Sequence, residues 1–216
     1  MQAIRTVVLA IDPLHPEAGR IEQAAGALRR GDVVGVPTDT IYGLAANPFD
    51  TAAIERVYEA KGRDDGKPLS LMVAGVSQAE ALAGAPLSEL FYRLAGRFWP
   101  GPLTLIIPAA AHLPRRLTAG GDTIALRQPL CPIVLSLIDA AGFPITATSA
   151  NRSGAADCRS AEEVRQQLEG RIPLIVDGGP SPRALPSTLV DLTSSVPKIL
   201  RAGAIREEEL QPLLQA

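Results

Sequence analysis

Three cations fall within the seven residues Lys61-Gly62-Arg63-Asp64-Asp65-Gly66-Lys67, and two of them are lysines in a chain that holds only Lys61, Lys67 and Lys198 beside 18 arginines. On a glycine-punctuated loop at a helix end, they could converge on a triphosphate, arginine as a bidentate fork and lysine as a point charge. Complementing a helix dipole would explain Lys61 but not Lys67, which lies beyond the last turn. No G-x-x-x-x-G-K-[ST] occurs in the chain, so a nucleotide here would be held without a P-loop.

Three further groups carry polar side chains where a strand hands over to a loop, the usual place for ligands in open α/β sheets. In Pro37–Leu44 (PTDTIYGL) the hydroxyls of Thr38 and Thr40 share a face if the segment is extended. An ordinary turn, with Asp and Thr bonded to their own backbone, is the competing reading. In Thr146–Gly154 (TATSANRSG) Ser149 and Asn151 share a face in the same way, and a Ser/Asn-rich turn is again the alternative. The last group is scattered: Thr123 and Arg127 on TIALR, Ser187 at the start of STLVD, and Arg201 at the end of KILR. A strand-end arginine that is buried needs an anion, either a protein carboxylate or a ligand phosphate.

Other chemistries lack their parts. His15 and His112 lie near prolines in loops without a partner at metal or triad spacing, and no nucleophile elbow occurs. Cys131 and Cys158 stand far apart with no C-x-x-C, so neither zinc nor a disulfide scaffold is expected, and no metal-ligand set is assigned. Positioning and charge neutralisation remain, the means by which phosphoryl and nucleotidyl transfer are catalysed.

These groups must be held by regular elements. The spacing of Ile21, Ala24, Ala25 and Leu28 predicts a helix opened by Pro16-Glu17 and closed at Gly31. Asp32–Pro37 reads as a buried strand. A helix capped by Asp50 or Thr51 runs to Ala60 and ends at Gly62. Leu69–Ala74 is a strand, Ser77-x-x-Glu80 has capping-box spacing, and Leu87–Phe98 is a longer helix. Strands follow at Leu103–Ile107, Thr123–Arg127, Ile145–Thr148, Ile172–Val176, Ser187–Asp191 and Lys198–Arg201, with helices at Pro132–Ala140 and Ala161–Leu168. Alternation predicts an α/β domain, and the strand-rich last third makes its sheet mixed.

At 216 residues and 46% hydrophobic the chain can bury a large core as one domain, residues 1–216, which excludes disordered and fibrous classes. A net charge of -2 excludes a chromatin-type binder and makes any anion site local. The apolar stretch Thr6–Ile11 is too short for a signal segment and no run is long enough to cross a bilayer, so a cytoplasmic protein without membrane partners is expected.

In order and approximate spacing, PTDTIYGLAAN, YEAKGRDDGKPLSLMV, FWPGPLTLII, IALRQP, TSANRSG, STLVD and ILRAGAI resemble the YrdC-like threonylcarbamoyl-AMP synthases, from about Gly31 to Ile205. The resemblance implies a single domain whose twisted mixed sheet and flanking helices surround a deep basic cavity. It also implies a reaction: L-threonine and bicarbonate form a carbamate that attacks ATP, giving threonylcarbamoyl-adenylate and pyrophosphate, with Mg2+ accompanying ATP. Partner proteins would pass the threonylcarbamoyl group to tRNA. The length corresponds to the short bacterial form.

Carried over by motif, Lys61, Arg63, Ser149 and Asn151 would be catalytic. Arg63, Lys67, Thr123, Asn151 and Arg201 would bind ATP, with Lys61 in the same anionic region. Thr40, Arg127, Ser149 and Ser187 would bind threonine. The chain departs from the family at Met72, where many members have histidine, at AADCRS in place of P-S-P-T, with Arg159 at a nucleotide-side threonine position, and at Pro186 in place of glutamate. Two other readings compete: an RNA-binding or ribosome-assembly protein using the basic concavity directly, and a paralogue acting on a different carbamoylated or adenylated substrate.

Overall fold

Local signals account for most of the helices in the computed structural model, which describes residues 4–214. Helix α1 (Ala18–Arg29) buries Ile21, Ala24, Ala25 and Leu28. Helix α2 (Thr51–Lys61) starts where the Asp50 carboxylate accepts from the Ala52 amide at 2.9 Å, and it stops where Gly62 turns left-handed at φ 59°. Its last residue is Lys61, so the helix end delivers the cationic loop. Helix α3 (Val76–Leu82) departs from the expected capping box. Ser77 already lies inside it, Gly75 precedes it, and Glu80 accepts from the Tyr92 hydroxyl at 2.8 Å instead of closing a cap. Helix α4 (Glu89–Phe98) is capped by Ser88, and α5 (Pro132–Ala141) begins with proline. Helix α6 (Ala161–Leu168) is capped by Ser160, which accepts from the Glu163 amide at 3.2 Å.

The α/β class with mixed strand pairing holds, and the strands divide between two sheets. The first runs in the order β1 (Val7–Ala10), β9 (Leu174–Asp177), β2 (Val34–Val36), β3 (Gly43–Ala45), β8 (Thr148–Ser149). The second runs β11 (Lys198–Arg201), β10 (Thr188–Asp191), β5 (Leu103–Pro108), β6 (Thr123–Arg127), β4 (Leu71–Met72), β7 (Ile145–Thr146). Parallel pairs such as β2 with β9 and β4 with β6 adjoin antiparallel ones such as β2 with β3 and β5 with β6.

The run expected as one strand at Ile145–Thr148 serves both sheets. β7 pairs with β4 in the second sheet, β8 pairs with β3 in the first, and between them the Ala147 amide donates to Ser70 O at 2.8 Å. Three elements escape the sequence reading: β1, which uses the short apolar stretch as an edge strand, β3 inside the expected loop, and α7 (Glu207–Leu214).

Two apolar clusters fix the sheets. One packs α1 and α5 against the first sheet through Leu28, Leu137, Val36 and Val176, and the other joins α2 and α4 to the second through Ile54, Phe91, Leu105 and Leu126. Each such fully buried aliphatic side chain contributes about 1.5–3 kcal/mol. Strand β11, by contrast, is an exposed edge, so the expectation of Arg201 at the end of a buried strand is corrected. Among the described residues no helix is long and apolar enough to cross a membrane.

Candidate active site

A cavity of about 310 Å³ opens where the two sheets meet, and every polar segment singled out in the sequence reaches it or underlies it. Strand β6 carries Arg127 there, buried. Its Nε donates to Gly101 O at 2.9 Å, its Nη1 to Thr40 Oγ1 at 2.7 Å, and its Nη2 to Asp39 Oδ1. The anion required by this arginine is therefore a carboxylate of the protein. Asp39 is 4% exposed and also accepts from the Leu130 amide at 3.2 Å and, through Oδ2, from Arg183 Nη1 at 3.3 Å. Burial pushes the Arg127 guanidinium below its ordinary value, and Asp39 opposes that.

The hydroxyls beyond Arg127 have a fixed order. Thr38 spends its one proton on Ile41 O at 2.7 Å, so in the 3.0 Å contact between Thr38 and Thr40 the donor is Thr40. Thr40 thus accepts from Arg127 and donates to Thr38, and the expected shared face is a bonded chain instead of two free hydroxyls.

Lys61 stands beneath the cavity, not on its lining. Its Nζ donates to Ser149 O, to Asn151 O at 2.7 Å and to Asn151 Oδ1 at 3.2 Å. Asn151 in turn accepts from Ser149 Oγ at 2.5 Å and donates to Ala155 O at 2.6 Å, so it too is spent on the loop, and Ser149 is the member that lines the cavity. Burial brings the Lys61 ammonium down to about 8, with Arg63 adding to the shift and Asp157 opposing it.

A neutral amine has two N–H groups for these three oxygens. Turnover should therefore fall along an alkaline limb near pH 8. Unfolded lysine keeps its proton to about pH 10.4, so between about 8 and that value the unfolded chain binds more protons and the Lys61 contribution to stability rises with pH. A pH–rate profile recorded beside thermal melts checks both signs. A flat rate from pH 7 to 9 contradicts the role.

Arg63 lines the cavity from the loop after α2, bonded through Nε to Lys67 O at 3.2 Å and through Nη2 to Pro68 O at 3.0 Å. Ser187 lines it as well, sharing a 2.6 Å contact with Thr104 and accepting from Arg201 Nη2 at 3.1 Å. Neither Arg63 nor Arg201 has an ion pair among the described residues, and partial desolvation of the head group pushes both guanidiniums down, although Arg201 as a residue is exposed.

Besides Lys61 and Asn151, two more expected site residues are not brought to the lining. Lys67 is exposed at the loop, with no side-chain partner among the described residues. Thr123 lies at the far end of β6, about 13 Å along the strand from Arg127. Arg159 is also off the cavity, exposed beside α6.

Besides Thr38, five polar lining residues are not among the expected site residues: Ser70, Thr104, Tyr42, Thr148 and Asp157. A signal exists for the first two, since each is a lone hydroxyl inside an apolar strand run, PLSLM and PLTLII. Met72 and Pro186 line the cavity as side chains without a hydrogen-bonding head.

A family model described as "Telomere recombination", for the Sua5, YciO and YrdC proteins, matches residues 26–203. A Bacillus subtilis (strain 168) protein named threonylcarbamoyl-AMP synthase is 43% identical over 215 residues, 99% of this chain and 62% of that protein. The crystal structure of P. abyssi Sua5 complexed with L-threonine superposes with a TM-score of 0.93 at 41% identity, covering 96% of this chain and 61% of that one. E. coli YciO gives a TM-score of 0.85 at 30% identity, covering 98% of this chain and 100% of that one. This chain thus spans about three fifths of the Bacillus and P. abyssi proteins. With the ordered motifs converging on one cavity and the whole fold matched, the chain belongs to the Sua5/YciO/YrdC family.

Proposed function

We propose that the protein is an L-threonylcarbamoyladenylate synthase, a nucleotidyltransferase that makes threonylcarbamoyl-AMP and pyrophosphate from L-threonine, bicarbonate and ATP. The observation that carries this reading is the pairing, in one cavity, of two guanidiniums without carboxylate partners, Arg63 and Arg201, with an ordered hydroxyl wall at Thr40, Ser149 and Ser187. The first pair suits a phosphate tail, and the wall suits a small zwitterion bearing a hydroxyl. The family relatives named for this synthesis, and the relative solved with L-threonine, support it.

Condensation of the threonine amine with bicarbonate releases water and leaves a carbamate. One carbamate oxygen forms a bond to the α-phosphorus of ATP as the bond to the β-phosphate oxygen breaks, and pyrophosphate departs. In this scheme Arg63 and Arg201 offset the charge that builds on the phosphates, Arg127 orients the amino acid, and Ser149 stands between the two substrates. Lys61 and Asn151 act as positioning residues for Ser149, and the exposed Lys67 adds charge at the rim. Mg2+ enters as part of its ATP complex, because the substrate phosphates and water supply most of the oxygens that ion takes. Partner proteins that carry the product to tRNA, and a cytoplasmic location, belong to the same proposal.

Purified protein given ATP, Mg2+, bicarbonate and labelled threonine should release pyrophosphate only when both threonine and bicarbonate are present. Salt-dependent RNA affinity without nucleotide turnover would replace this reading with the RNA-binding one. Release driven equally by another amino acid would replace it with the paralogue.

Arg63→Ala and Arg201→Ala should each raise the KM for ATP about 10–100-fold, the worth of a charge-assisted hydrogen bond to phosphate. Lys67→Ala should raise it only several-fold, because its side chain is unconstrained. Initial rates against ATP concentration measure all three.

A further inference from the structure

Asp157 is the one acidic side chain among the residues lining the cavity, and it stands with three arginines, Arg63, Arg127 and Arg201. Arg127 is already matched by Asp39, whereas Asp157 forms no hydrogen bond or ion pair with anything among the described residues. It nonetheless acts electrostatically on both flanks of the site, favouring the charged forms of Arg201 and of Lys61 beneath Ser149. It thus lines the same cavity as the two cations assigned to the phosphate tail, Arg63 and Arg201.

An unpaired carboxylate in this place opposes a bare polyphosphate. A negative tail drawn in by Arg63 and Arg201 shares the cavity with Asp157, and like charges brought close together near a protein surface repel by an amount worth about a tenfold change in affinity. The opposition reverses if the tail arrives with a divalent cation. Mg2+ is characteristically held by one or two carboxylates together with substrate phosphates and water, and does not require a cage built by the protein.

We propose that Asp157 meets the divalent ion of the incoming metal–ATP complex and so selects Mg·ATP over metal-free ATP. The proposal rests on the nucleotide reading of the cavity given above. It makes Asp157, in the AADCRS segment where this chain departs from the family pattern, a specificity-determining residue.

The test is calorimetric titration of the intact protein with ATP in EDTA and with ATP in excess Mg2+, for the wild type, Asp157→Asn and Asp157→Ser. The wild type should prefer Mg·ATP. Both variants should bind metal-free ATP about tenfold more tightly than the wild type and Mg·ATP several-fold more weakly, so the two affinities move in opposite directions. If both affinities tighten together, Asp157 is only a diffuse negative charge and the proposal is overturned. If Mg·ATP weakens but Mg·2′-deoxy-ATP does not, the carboxylate holds the ribose instead, and the proposal is again overturned. A wild-type protein that binds neither form of ATP overturns this inference and the synthase reading together. One that shows the crossed affinities yet releases no threonine-dependent pyrophosphate overturns the synthase reading alone.

Discussion

Arg127→Ala should lower the unfolding free energy by about 3–5 kcal/mol and abolish measurable synthesis. The loss arises less from the arginine than from what it leaves behind. Asp39 is buried at 4% exposure and would keep only the Leu130 amide and the half-exposed Arg183 as partners. Gly101 O and Thr40 Oγ1 would lose their donor at the same time. For a chain of this length each kcal/mol corresponds to about 2–4 °C in Tm, so the variant should melt about 6–20 °C below the wild type. The double variant Asp39→Ala/Arg127→Ala should recover part of that difference, because it removes the stranded charge together with its partner. Thermal melts of the two single variants and the double variant measure the coupling. Equal and additive losses would contradict it.

Lys61→Met should cost less stability and almost as much activity. The methionine fills the same space without burying a charge, but Ser149 O, Asn151 O and Asn151 Oδ1 lose one shared donor. Unsatisfied acceptors of this kind cost about 1–3 kcal/mol each when they stay buried, so a net loss of about 2–4 kcal/mol is expected once the loop relaxes toward water. That relaxation moves Ser149, and a displacement near 1 Å at a positioning group lowers turnover about 100-fold. Since Lys61 is off the cavity lining, kcat should fall far more than the KM for ATP rises. Amide exchange in residues 149–155 should quicken in parallel. A raised KM with unchanged kcat and unchanged exchange would place Lys61 on the nucleotide instead.

What could be read in advance was whatever depends on neighbours in sequence. Helix α2 is legible at both ends because Asp50 caps it locally and Gly62 supplies the left-handed turn. Strand β3 is not, because three residues, Gly-Leu-Ala, have no strand preference of their own and are made extended by pairing with β2 and β8. Ser77 misled because cap spacing carries no information about which residue the preceding strand releases first.

The site divides along the same line. Thr40, Arg63, Arg127, Ser149, Ser187 and Arg201 reach the cavity because each stands at the end of an element or in the loop beside one. Thr123 shares a strand with Arg127, but the strand's own length carries it away. Lys61 falls below the lining because it is consumed by bonds across about 90 residues of sequence, which no local pattern records, and Asn151 because it accepts those bonds and spends the rest of its amide on Ser149 and Ala155.

The passage from β7 to β8 has a mechanical consequence. Five consecutive residues are stitched into both walls of the cavity, two to β4 and two to β3, with Ala147 tied to Ser70 between them. At this seam the walls cannot slide past one another as independent plates. The cavity can gape only by pivoting about the seam or by unpicking one of its stitches. Ala147, Thr148 and Ser149 line the cavity on the pivot itself, so their positions change least as the walls swing, a fixed fulcrum against which the two proposed substrates can be brought into line.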